Sequence, residues 1–259
     1  MHKDSVLTVD IGNSNLVIGW FLEGKLFAKW RVFTNKKATA DEYALLFQGL
    51  FRQKQNSNPH FAFIASVVPA VTPVLNEALH NLLTEKAYIF EVGKNNLMPI
   101  LLDQPSELGA DRLINSYEAF ARKKKACLIV DFGTATTFDV VSGEGKYLGG
   151  SIATGLKLSL HALVKNTAKL SMIELKAPPF VIGKNTKDSM QSGLFYGYAS
   201  LADGLIEKIQ TELGESLFVY ATGGMAKIMH KLTQKIHETD EDLTIWGMYR
   251  IFKNFYSQT

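Results

Sequence analysis

Shifted by 121 positions, so that Asp10 falls on Asp131, the sequence lies over itself without a gap. Val6-Leu-Thr-Val-Asp-Ile-Gly-Asn-Ser-Asn15 covers Cys127-Leu-Ile-Val-Asp-Phe-Gly-Thr-Ala-Thr136. The register carries on until Glu23-Gly24-Lys25 meets Glu144-Gly145-Lys146. Leu7, Val9, Asp10, Gly12, Glu23, Gly24 and Lys25 recur identically. Two unrelated hairpins can share a Glu-Gly-Lys turn, but a gapless register that also holds an Asp-x-Gly makes chance the weaker reading. A repeat of this kind is one supersecondary unit used twice. It predicts two similar lobes facing a cleft, divided as 1–110 and 111–259.

The elements around the repeat alternate between strand and helix. Val6–Val9 reads as a buried strand, the polar loop Asp10–Asn15 as a tight turn, and Leu16–Phe21 as a second strand closed at Glu23-Gly24. Tyr43, Leu46, Phe47, Leu50 and Phe51 have helical spacing. Phe61–Val67 reads as a strand, Val71–Leu83 as a helix with Pro73 in its first turn, and Ala87–Val92 as a short strand. Further helices are expected over Ala110–Lys125, Gly155–Leu170, Lys187–Leu213 (broken near Tyr196-Gly-Tyr198), Met225–Ile236 and Gly247–Phe255. Leu217–Ala221 is the expected strand between the last three. Such alternation is a mixed α/β fold.

Composition narrows the function classes. The formal charge of +3 is spread over both signs, and the longest basic run is Arg122–Lys125. That is too little for an affinity built on neutralising many phosphates, so nucleic acid is not an expected partner. No window approaches the roughly 18 apolar residues of a membrane span, and no export-signal core follows Met1. The single cysteine, Cys127, cannot close an intramolecular disulfide, which points to a reducing, cytoplasmic setting. The histidines lack H-x-x-x-H or H-E-x-x-H spacing, so zinc chemistry is not expected.

Chemistry is carried by a few short segments. An aspartate at the end of a buried strand is costly unless something pairs with it. A glycine two positions on lets backbone approach a ligand closely. Hydroxyl and amide residues follow in both copies, so such loops suit phosphate oxygens, and their aspartates suit an accompanying metal ion. One copy alone would be an Asx-turn closing a hairpin; two facing copies favour a nucleotide. Thr222-Gly223-Gly224, after a strand and before a helix, offers a third place of close backbone approach. Gly109-Ala-Asp-Arg112 opens a helix, supplying a carboxylate and a guanidinium within one turn. Spacing alone leaves Asp111 open between a general base and an ordinary acidic first turn. Neither a G-x-x-x-x-G-K-[ST] loop nor a full G-x-G-x-x-G is present.

With Asp10-Ile-Gly-Asn13, Gly109-Ala-Asp-Arg112, Asp131-Phe-Gly-Thr134 and Thr222-Gly-Gly224 in this order, the chain resembles the type III pantothenate kinases. Gly149-Gly150, Asn185-Thr186, Met190-Gln-Ser-Gly193 and Asp203-Gly204 extend the resemblance almost end to end. It implies the actin/hexokinase/Hsp70-like ATPase fold, with two duplicated ribonuclease H-like lobes around a nucleotide cleft. It implies phosphorylation of pantothenate by ATP with magnesium and a monovalent cation, potassium or ammonium, by a homodimer. Carried over by motif, Asp10, Ile11, Gly12, Asn13, Ser14, Asn15, Leu16 and Val17 would form the first phosphate loop, with Asp10 near magnesium. Gly109, Ala110, Asp111 and Arg112 would contact pantothenate, Asp111 as the base. Asp131 would hold the monovalent cation, Thr134 would contact ATP, and Thr186 would reach pantothenate from the dimer interface. Ser14, Leu102 and Ser171 depart from the family's usual threonine, tyrosine and proline. A sugar- or acetate-type kinase of the same fold is disfavoured by the Gly-Ala-Asp-Arg and Gln-Ser-Gly segments. A transcriptional regulator is disfavoured by the lack of a helix-turn-helix or a strong basic patch.

Overall fold

The computed structural model describes residues 5–54 and 58–256. Residues 1–4, which open the stretch read for an export signal, lie outside them. In the first repeat β1 (Ser5–Ile11), β2 (Asn15–Leu22) and β3 (Lys25–Phe33) form an antiparallel meander. Beyond the meander, β1 pairs in parallel with β4 (Phe61–Ser66), and β4 with β5 (Ala87–Ile89), giving the order β3-β2-β1-β4-β5. The crossovers are α1 (Ala40–Arg52) and α2 (Thr72–His80). Thr39 and Glu42 close a reciprocal capping box at the start of α1, satisfying two of its orphan donors.

After α3 (Ala110–Lys123) the plan recurs. The meander is β6 (Cys127–Phe132), β7 (Ala135–Val141) and β8 (Tyr147–Thr154). There follow α4 (Leu156–Lys165), α5 (Thr186–Leu213), β9 (Phe218–Thr222), α6 (Ala226–His230), β10 (Glu238–Thr239) and α7 (Leu243–Phe255). The second sheet has the order β8-β7-β6-β9-β10, the first sheet's order strand for strand, with the same antiparallel and parallel pairings. The duplicated α/β fold read from the repeat is the fold observed.

Two compact units result. The first holds residues 1–97, 104–118 and 244–259, the second 98–103 and 119–243. The expected division at 110/111 put the terminal helix with the second lobe, whereas its packing assigns it to the first unit. Phe252 meets Phe61 and Phe63 of β4 at ring-centroid distances of 5.4 and 6.2 Å, and Tyr249 stacks on Phe21 of β2 at 4.3 Å. The opposite face of the same sheet, with Leu7, Val9, Ile18 and Ile64, buries against Phe47 and Leu50 of α1 and Leu75 and Leu79 of α2. β1, β2 and β4 therefore alternate between two covered faces, while the edge strand β3 leaves Phe27 and Phe33 exposed.

Several boundaries differ from the expected ones for identifiable reasons. The break near Tyr196-Gly-Tyr198 is absent, because Phe195, Ala199, Ala202 and Ile206 form one buried stripe along α5. The helix expected from Gly247 starts at Leu243, with Gly247 inside it. A Cβ there would sit 2.7 Å from the Ile114 side chain and 2.9 Å from the Ile114 carbonyl oxygen, so the glycine marks close helix packing. The two-residue strand β10 carries too short a pattern to be read. Cys127 is fully buried in β6, and burial pushes its thiol up to about 11, which leaves it an inert apolar side chain at neutral pH.

Candidate active site

In the first unit, β1 carries Asp10 to the end of the sheet on the face it shares with Phe61 and Phe63. The chain reverses through Gly12, Asn13 and Ser14, and the Gly12 N–H donates to the Asn15 carbonyl at 3.0 Å. Next to this turn runs the segment after β3. Thr34, 2% exposed, donates its hydroxyl to the Gly12 carbonyl at 2.7 Å and its N–H to the Ser14 carbonyl at 3.1 Å. Lys36 donates from Nζ to Asn13 Oδ1 at 3.1 Å, placing an ammonium at the tip of the loop.

Val67 links the Gly109–Arg112 motif to the same loop. Val67, just past β4, donates its N–H to the Ile11 carbonyl at 3.1 Å. A Cβ on Gly109 would lie 3.7 Å from the Val67 side chain and only 2.7 Å from Asp111 Oδ1. Gly109 is therefore the residue that lets the carboxylate of Asp111 fold back over the helix start. There Asp111 Oδ1 accepts the Arg112 N–H at 2.8 Å, satisfying one of the orphan donors of α3. Both Asp111 and Arg112 are half-buried. Asp10–Val17 and Gly109–Arg112 thus form one constellation within the first unit.

The second unit assembles its own. Asp131 is the penultimate residue of β6, and its Oδ1 is buried. Gly223, at φ +87, crosses so close that a Cβ would lie 2.3 Å from this oxygen and 2.7 Å from the Phe132 carbonyl carbon. Gly155, the N-cap of α4, donates its N–H to the Thr134 carbonyl at 3.1 Å, and a Cβ there would lie 2.4 Å from the carbonyl oxygens of Gly133 and Thr134. Asp131, Thr134 and Thr222-Gly223-Gly224 are brought together, as the motifs predicted separately. Behind them is a buried polar chain that the motifs did not indicate. Asp139 accepts Tyr147 Oη at 2.7 Å and Thr137 Oγ1 at 2.9 Å, and Thr137 stands opposite Asp131 in the β6–β7 ladder.

Thr186 is not part of that group. It is the first residue of α5, behind an Asn185 cap whose side chain accepts the Asp188 N–H at 2.9 Å. With Ser159 and Leu163 of α4 it lines a cavity of about 770 Å³ in the second unit. Residues missed by the sequence reading are Thr34, Lys36, Val67 and Gly155. Gly155 carried a signal, a glycine at a helix start; Thr34 and Val67 carried none, since their partners lie 22 and 56 positions away.

Among the described residues no group of three or more His, Cys, Asp or Glu side chains could hold a metal ion. The donor sets fit cations of another kind. A divalent ion that dehydrates reluctantly needs only one or two carboxylates beside a substrate's phosphates, which suits Asp10. The carboxylate of Asp131, buried where Gly223 leaves no Cβ, and the carbonyl oxygens crowded by Gly155 are all-oxygen donors suited to a hard cation.

Two repeated sheets, each turning at an Asp-x-Gly loop, define an actin-like ATPase fold. Solved structures agree on the fold. MreB5 of Spiroplasma citri bound to ADP matches with a TM-score of 0.54 at 11% identity, over 98% of this chain and 97% of that one. A polyphosphate/ATP-glucomannokinase of Arthrobacter sp. matches with a TM-score of 0.53 at 14% identity, over 96% and 98%. A Baf family transcriptional activator of Campylobacter jejuni matches with a TM-score of 0.62 at 19% identity, over 96% and 98%. Residues 6–208 match the sequence profile described as type III pantothenate kinase. Relatives bearing that name are 41% identical in Syntrophotalea carbinolica (94% of this chain, 96% of the relative) and 42% identical in Citrifermentans bemidjiense (96% and 98%). The chain belongs to the type III pantothenate kinase family.

Proposed function

We propose that the chain transfers the γ-phosphoryl group of ATP to the primary hydroxyl of pantothenate, giving 4′-phosphopantothenate, the first step towards coenzyme A. The observation that carries the assignment of roles is the link from Ile11 through Val67 to Gly109. It sets the start of α3, with Asp111 and Arg112, beside the first Asp-x-Gly loop. Phosphoryl transfer asks a protein mainly for positioning and charge neutralisation. Asp111 accepts the hydroxyl proton as the pantothenate oxygen attacks the γ-phosphorus, and the bond from that phosphorus to the bridging oxygen breaks to release ADP. Arg112 orients the acceptor through its guanidinium, and Gly109 and Ala110 offer backbone close to it. Residues 10–17 receive the triphosphate and Thr134 contacts the nucleotide, while Asp10 would hold magnesium. Magnesium at Asp10 and a potassium or ammonium ion at Asp131 would supply positive charge against the phosphates when bound.

Thr186 reaches pantothenate across a homodimer interface in this reading. The setting is the cytoplasm, which would keep Cys127 reduced. No helix among the described residues is long and apolar enough to cross a membrane.

Asp111→Asn tests the central role. Asparagine preserves size but takes no proton at neutral pH, so kcat should fall by roughly 10²–10⁴-fold, the usual contribution of general-base catalysis. The KM for ATP and the melting temperature should hold, since the asparagine Oδ1 can still accept the Arg112 N–H. Near-normal turnover would remove Asp111 as the base.

A further inference from the structure

We propose that Thr34 is the positioning residue that aims the first loop's backbone donors at the ATP phosphates. The proposal rests on the reading that residues 10–17 receive those phosphates. Its geometry comes from peptide planarity. A trans peptide holds its C=O and its N–H in opposite directions, and no described peptide bond is cis. Thr34 draws the Gly12 carbonyl with its hydroxyl at 2.7 Å and the Ser14 carbonyl with its N–H at 3.1 Å. The partner N–H groups of those two peptide planes belong to Asn13 and Asn15, and both must therefore point away from Thr34. Two N–H groups turned to one side of a tight loop make the concave donor pair that anions occupy.

The clamp is itself held by the core. Tyr43 of α1, 3% exposed and packed with Phe47, donates its hydroxyl to the Asn35 carbonyl at 2.9 Å. The Asn35 side chain accepts the Lys37 N–H at 3.0 Å, and the Ala38 N–H donates to the Asn35 carbonyl at 3.2 Å. The segment after β3 is thus a braced turn, and Thr34 transmits its position to the loop. Lys36, fixed on the Asn13 side chain, adds positive charge on the same loop. Without the Thr34 hydroxyl, the Gly12–Asn13 peptide plane can rotate and swing its N–H away from the phosphate side.

The test uses the full chain and steady-state kinetics with each substrate varied in turn. Thr34→Val keeps the shape and removes the donor. It should raise the KM for ATP about tenfold, the scale of one lost hydrogen bond. The KM for pantothenate should stay within twofold, and Thr34→Ser should restore ATP binding. Gly12→Ala, which presses a Cβ to 3.0 Å from the Asn15 carbonyl, is the loop control. If Gly12→Ala weakens ATP and Thr34→Val does not, the loop reading stands and the clamp is overturned. If neither variant moves the KM for ATP, the loop reading itself fails. An equal rise in both KM values, or loss of the fold in both Thr34→Val and Thr34→Ala, would make the bond a folding contact and also overturn the proposal.

Discussion

Gly223 shows how much a single missing methyl group decides. Its φ of +87 lies where L side chains are strained, and the same backbone carries it to within 2.3 Å, measured from an ideal Cβ, of Asp131 Oδ1. Gly223→Ala therefore meets two separate obstacles. The backbone strain costs about 1–3 kcal/mol. The methyl also has to displace the Asp131 carboxylate, because the other atoms it meets are Phe132 backbone. Moving Asp131 disturbs whatever that carboxylate holds. The expected outcome is a modest fall in melting temperature with a far larger fall in turnover, measured on the same preparation. Turnover that tracks only the lost stability would show that Asp131 need not sit where Gly223 lets it sit. Gly109 stands to Asp111 at 2.7 Å in a similar way, so in both units an aspartate is seated by the glycine beside it.

At the scale of elements, α7 is the part of the fold whose role is least apparent from sequence order. Phe252 is 1% exposed, within a ring cluster that includes Phe61, Phe63, Tyr88 and Tyr256. Two residues earlier in α7, Arg250 donates to both oxygens of Glu118, at 2.6 and 3.2 Å, and that carboxylate is only 1% exposed. Phe252→Ala should cost about 3–5 kcal/mol, the usual penalty for emptying an aromatic site in a core. For a chain of this length that lowers the melting temperature by roughly 10 °C. A fall of only a degree or two would mean that α7 is an appended helix after all. Much of the rest was legible. The repeat predicted two similar units, and the second sheet follows the first strand for strand because strands with the same pattern and the same turn pair in the same way. The apolar periodicity of α1 and the Asp-x-Gly turns needed no tertiary information. What escaped were contacts decided by distance in space. Gly247 reads as a helix boundary until Ile114 is seen against it, and nothing in the sequence pairs Thr34 with Gly12, 22 positions away. The two aspartate loops were legible as motifs, but the approach of Gly223 to Asp131 is a tertiary fact that no spacing encodes.

At the scale of the whole molecule, α5 bears on assembly. Its polar side chains Ser189, Gln191, Ser192 and Tyr196 donate to the carbonyls of Gly183, Glu174, Val181 and Pro178. They hold the extended segment before the helix as a strap. Gln191 and Ser192 are buried by this arrangement, which explains why a helix interior should carry Met-Gln-Ser-Gly. With its backbone tied down, the strap exposes its apolar side chains: Phe180 at 74%, Val181 at 62% and Ile182 at 83%. Three consecutive apolar residues turned to water on a tied-down backbone would suit the interface of the proposed homodimer. Thr186 follows four residues after Ile182, so a second copy seated on the strap would also meet the residue proposed to reach pantothenate. The expected state is a homodimer by light scattering. Phe180→Ser combined with Ile182→Ser should give a monomer whose melting temperature is little changed, since both side chains are already exposed. That monomer should show a raised KM for pantothenate and an unchanged KM for ATP, because the nucleotide loops lie elsewhere in the chain. A wild-type monomer with full activity would end the dimer reading, and an active, dimeric double variant would move the interface off the strap.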